Sequence, residues 1–132
     1  MDNAIYHVNK EEYALIKERI KTNNLYVAEI QGDEVQNLES YLREVWEKFK
    51  FPKTGYVNHD AYLDWIRDLD WINRDGYIMA IFDFNKFLMK SPELKNEIIE
   101  DFTDVVLPWW QGEVEKYVVE GKAKTFNLYL ID

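Results

Sequence analysis

The sequence predicts an α/β domain in which helices pack around a central, mainly parallel sheet. Three observations carry that expectation. YIMAIFDF at 77–84 is an almost wholly apolar run, which suits a central strand buried on both faces. The periodic segments follow the order β, α, β, α, α, β, α, α, β, and this alternation favours parallel strands joined by helical crossovers. Finally, 132 residues with 47% apolar and 16% aromatic side chains form one domain able to bury a sizeable core.

AIYHV at 4–8 can add an edge strand to the sheet. Residues 9–21 read as a helix: Asn9 stands at a capping position with Glu12 three residues on, and Tyr13, Ile16 and Ile20 share one face. TNN at 22–24 breaks it, and LYVAEIQG at 25–32 is a strand closed by a glycine turn. The clearest helix spans 34–50, where Leu38, Tyr41, Leu42, Val45, Trp46 and Phe49 recur every three or four residues. FPKTGYV at 51–57 is a loop, and the next helix runs over 58–69 from Asn58, a good N-cap. INRDG at 72–76 turns into the apolar strand. Residues 85–107 read as helical, with a break at 90–93 where Ser91 can cap and Pro92 takes the first helical position. Pro108 is expected to interrupt the helix and start another that runs to about 120, with Gly121 as its stop. TFNLYLI at 125–131 is the last strand. The expected sheet therefore has three strands, 25–31, 77–83 and 125–131, with 4–8 as an optional edge.

Charge narrows the function. The chain carries 25 acidic and 16 basic residues, a net charge of −9. Nucleic acid and anionic membranes repel such a surface, whereas a basic protein surface attracts it; solubility alone also selects acidity. No cysteine is present, which excludes disulfides and thiol chemistry, and His7 and His59 are far apart in the chain. A histidine-rich metal site, a Ser-His-Asp triad and a bound cofactor are accordingly not expected. The first residues lack a basic leader with an apolar segment, and no apolar run reaches the roughly 18 residues of a membrane span. The expectation is a cytoplasmic, soluble protein, monomeric when free.

The helix over 58–69 raises a specific question. Asp60, Asp64 and Asp68 recur every four residues, although like charges at that spacing repel by a few tenths of a kcal/mol. Wound at about 100° per residue, Ala61, Tyr62, Trp65, Ile66 and Leu69 form a core face. Asp60, Leu63, Asp64, Arg67 and Asp68 share the opposite arc. That arc reads either as a solvated face with an incidental leucine, or as an apolar anchor ringed by charge, as a protein-binding surface requires.

FPKTGYVNHDAYLDWIRDLDW at 51–71 resembles the signature loop and helix of the barstar family of ribonuclease inhibitors, which carry a proline, a Tyr/Gly-containing loop and an Asn-x-Asp-Ala-x-x-Asp helix. Asn58, Asp60, Ala61 and Asp64 occupy the matching positions. VVEGKAKTFNLYLI resembles the family's closing helix, glycine turn and last strand. The likeness covers 23–132, and 1–22 resembles the N-terminal extension of longer members. It implies a barstar-like fold and no enzymatic activity of its own. It also implies a basic partner, a ribonuclease toxin, whose active-site cations the carboxylates engage in place of RNA phosphates. By position, Asp64 is the central charge, Asp60 its neighbour one turn earlier and Leu63 the apolar contact between them, with Asn58, Arg67 and Asp68 on the same surface and Tyr56 in the adjoining loop.

The sequence departs from the family in three places. Thr54, Gly55, Tyr56 and Val57 replace the usual Tyr pair followed by Gly, and Leu63 stands in place of an aromatic. Lys116 stands where the inhibitors carry a contacting acid; Glu113 or Glu120, on the same face, can replace that charge.

Two rival readings use the same residues. As an enzyme, the chain would gather Asp60, Asp64 and Asp68 around a divalent cation, but acids along one helical face do not converge unaided, and no glycine-rich phosphate loop is present. Asp83, at the end of the apolar strand, holds a position where α/β proteins place ligand groups, though an acid there more often caps the following helix. As a binding module, the same scaffold would hold a basic protein that is not a nuclease. Trp109 and Trp110 read as a binding patch or, at a helix start, as core.

Overall fold

The computed structural model describes residues 2–52 and 58–132. Four strands, β1 (Ile5–Val8), β2 (Leu25–Gln31), β3 (Gly76–Phe82) and β4 (Thr125–Ile131), form one sheet in the order β1-β4-β3-β2, and every pairing is parallel. The expected three strands are therefore four. AIYHV supplies the extra one, Ile5 to Val8 pairing with Leu128 to Ile131. Without it β4 would be an open edge, although its last four residues are buried.

β3 is apolar throughout, and β4 from Leu128 onward, because both faces of the sheet are covered there. Tyr77, Met79 and Ile81 of β3 and Phe126, Leu128 and Leu130 of β4 point into the larger core, shared with Ala28 and Ile30 of β2. Their alternates Ile78, Ala80, Tyr129 and Ile131 point into a smaller core closed by Tyr13, with Ile16 and Ile20 packed against it. Tyr13 and Ile16 belong to α1 (Lys10–Arg19) and Ile20 is its C-cap; the helix begins with the capping box read from the sequence: Asn9 Oδ1 accepts from the Glu12 backbone N–H, and Glu12 Oε1 accepts from that of Asn9.

The larger core is roofed by α2 (Leu38–Lys48), α3 (His59–Ile66) and α4 (Pro92–Asp101). The expected helix over 34–50 starts later. A single 3-10 turn at Gly32–Glu34 comes first, Val35 is extended and buried, and Asn37 supplies the cap to the Ser40 N–H. Gly32 is required here, since a Cβ would lie 2.4 Å from the Phe82 carbonyl oxygen at the adjacent strand end.

Pro108 does not break the chain into two helices. The backbone stays helical from α4 through Phe102–Val106 and Trp109–Glu113, two wide π-helical stretches, into α5 (Val114–Tyr117). Such wide turns re-route the hydrogen bond that proline cannot donate, so the helix continues past it. It ends at Tyr117, three residues before the expected end at about 120: Val118 is extended, and Glu120, with φ 62°, takes the left-handed conformation beside Gly121. Two expected caps are also absent. Ser91 and Asp83 make no side-chain capping bond; Asp83 instead has φ 49° and lies 4.0 Å from Lys10 Nζ.

Candidate partner-binding surface

The acidic helix forms much as its sequence predicts. Asn58 Oδ1 accepts from the Ala61 N–H at 2.8 Å, closing the first turn of α3. Tyr62, Ile66 and Leu69 are fully buried, while Ala61 and Trp65 are half-buried against the same core. The helix is shorter than expected, ending at Ile66 with Arg67 as its C-cap; Leu69 follows in a left-handed turn at φ 54°.

Asp60 and Asp64 both face solvent. The Asp64 side chain is 77% exposed, and its single described ion pair is with Arg67 Nη2 at 3.2 Å. Leu63 departs from its expected place among the acids: it is half-buried and packs against the larger core, so only part of its side chain reaches the surface. Asp68 is half-buried as well. Its carboxyl is raised above the usual carboxylate range by burial first, and then by the neighbouring Asp70 carboxylate.

Both ends of α3 are pinned by side chains distant in sequence. At its start, His59 Nε2 lies 2.7 Å from Asp101 Oδ2 at the end of α4. One turn in, the buried Tyr62 hydroxyl meets that of Tyr41 from α2 at 2.7 Å, and burial pushes both phenols well above their ordinary range. At its end, the orphan carbonyls of the last turn accept from two indoles: Trp110 Nε1 donates to the Ile66 carbonyl at 3.0 Å, and Trp109 Nε1 to that of Arg67 at 2.8 Å. Trp71 Nε1 does the same for the Phe49 carbonyl after α2, at 2.9 Å. The tryptophan pair is thus the C-terminal clamp of the acidic helix. Sequence reading missed this role, and the only signal available was two indole donors in an apolar stretch, each needing an acceptor.

Trp110→Phe tests the clamp, because it keeps an aromatic ring and removes the donor. The unpaired Ile66 carbonyl should cost about 1–3 kcal/mol, read as a lower urea midpoint with an unchanged slope.

The remaining expected residues divide. Arg67 donates through Nε to the Leu63 carbonyl at 3.0 Å and sits 5.4 Å over the Trp109 ring, so its charge is held along the helix end. Asp68 and Glu120 come together, with Asp70, around one open groove. Glu113 is exposed but does not line it, and Lys116 is exposed. Tyr56 lies outside the described residues.

Chemically, this surface presents carboxylates to solvent on a rigid frame. Asp60 and Asp64 stay strung along the helix with Asp68 in the turn after it, and among the described residues no three acidic or histidine side chains are grouped to hold a metal ion. No described helix is long and apolar enough to cross a membrane. Residues 25–127 match the family model described as Barstar (barnase inhibitor). No curated protein and no solved structure matches the chain. The family match runs from β2 into β4 and takes in the whole acidic helix with its tryptophan clamp, and on that match the chain belongs to the barstar family.

Proposed function

We propose that the protein inhibits a basic ribonuclease by placing the carboxylates of α3 against the cations that otherwise hold RNA phosphates. The observation that carries this reading is the pair Asp60 and Asp64, both exposed on a helix fixed at its two ends, in a chain of the barstar family. A helix held in this way loses little freedom on binding, so its charge acts without an ordering cost. The net charge of −9 adds a long-range field that speeds the approach of a cationic partner.

The test is a titration of the protein into a basic ribonuclease of the barnase type while RNA cleavage is followed. Cleavage should fall to zero at one inhibitor per enzyme, and the association rate should drop steeply as salt is raised. A basic protein bound tightly without any loss of RNA cleavage would favour a binding module over an inhibitor.

A further inference from the structure

Most large apolar side chains left exposed are scattered, as Tyr6, Leu15 and Met89 are, and scattered ones require no explanation. Tyr117, Val118 and Val119 are different: they are consecutive, and Val119 is 93% exposed. Tyr117 ends α5, and Val118 and Val119 after it border an open groove of about 590 Å³, which Arg67, Asp68 and Asp70 of the turn after α3 line from the other side. Trp110, Val114 and Val118 give the groove an apolar lining, and Asp68 and Asp70 add carboxylates to it. A contiguous apolar ledge beside such a groove is the form of an interaction site.

The ledge is continuous with the acidic helix. Asp64 pairs with Arg67, the Arg67 guanidinium lies over Trp109, and the Trp109 ring stacks on Tyr117 with centroids 6.2 Å apart and planes 11° from parallel. Charge also singles out the groove. The Asp70 N–H donates to Asp68 Oδ1 at 3.3 Å, which brings the two carboxylates together, and among the described residues neither has an ion-pair partner. Of the cations around the groove, Arg67 is taken by Asp64, and Lys124 Nζ donates to the Arg74 carbonyl at 3.0 Å and lies 3.4 Å from the Tyr77 hydroxyl. Lys122 and Glu120 complete the charged lining.

We propose that this groove receives a projecting segment of the same basic partner, with a Lys or Arg meeting Asp68 and Asp70 and an adjacent apolar side chain lying on Val118 and Val119. The inference rests on the reading of the partner as a basic protein, and it moves the main apolar contact from the half-buried Leu63 to this ledge. Burial and Asp70 raise the Asp68 pKa, so ionising Asp68 opposes folding at neutral pH, and that penalty fades as pH falls through the raised value.

The experiment titrates the isotopically labelled full chain with the capped peptide acetyl-Gly-Arg-Leu-Gly-amide, and separately with its counterpart carrying Glu for Arg, following amide and indole resonances. The Arg peptide should give saturable shifts at Asp68, Asp70, Val118, Val119 and the Trp110 indole, with at least about tenfold weaker binding of the Glu peptide. Asp68→Asn combined with Asp70→Asn should abolish those shifts while raising the thermal midpoint, which shows that the variant folds. Equal binding of the two peptides, shifts that survive the double substitution, or no saturable shift at these residues would overturn the proposal. No ribonuclease enters this measurement, so the groove and the inhibitor reading can each fail alone.

Discussion

A chain beginning at residue 23 should lose cooperative folding and self-associate, although the residues matched by the family model begin only at 25. The cut removes β1 and α1. With α1 goes Tyr13, 3% exposed in the intact protein, which closes the smaller core against Ile78, Ala80, Tyr129 and Ile131. Uncovering a large apolar side chain costs about 1.5–3 kcal/mol. Several such losses together are comparable to the whole stability of a small domain, about 5–15 kcal/mol. The cut also strips the pairing of Ile5–Val8 from β4 and leaves an apolar strand as an open edge, a template for pairing with a second chain. Tryptophan fluorescence during urea denaturation and size-exclusion chromatography check the result. A monomer with the midpoint of the full chain would show that the second face of the sheet needs no cover.

Asp64→Ala should weaken the proposed complex with a basic ribonuclease by about 2–5 kcal/mol, or roughly 30- to 5,000-fold, because a desolvated cation on the partner loses its counter-charge. The free protein should barely notice. Asp64 is exposed and its pair with Arg67 is an i,i+3 surface contact, so less than about 1 kcal/mol of stability is at stake. Leu63→Ala behaves differently, since Leu63 packs against the larger core: it should lower the urea midpoint as well as hasten dissociation. Binding kinetics at two salt concentrations, with circular dichroism on each free variant, separate the two effects. Asp64→Ala binding as tightly as the unaltered chain would remove Asp64 from the interface. Its failure to fold would contradict the exposure described for α3.

Features set within a few residues were legible in the chain. The Asn9 box and the Asn58 cap need only a side-chain oxygen beside free backbone N–H groups, and both form where they were expected. The run at 77–82 is apolar at every second position on both faces, a pattern that suits a strand covered on both sides. The exposure of Asp60 and Asp64 follows from helical periodicity, as does the burial of Tyr62 and Ile66, whereas Leu69 is buried from the left-handed turn beyond the helix.

What could not be read depends on segments far apart in the chain. Four residues such as IYHV carry enough pattern to suggest an optional edge strand but too little to require one, and β4 supplies the edge that fixes it more than a hundred residues later. Pro108 ends a helix by local sterics, yet the π-helical stretches on either side carry the helix through while Trp110 is drawn into the core. Leu63 shares an arc with the acids, but the helices packed around α3 half-cover it. The indoles of Trp109 and Trp110 find their acceptors 42 and 44 residues away, so no window of local sequence contains the bond. Short-range sterics and hydrogen bonding set where each helix and strand forms. Packing sets which carboxylates stay bare and which side chains hold them, because burial belongs to surfaces that meet only once the chain has folded.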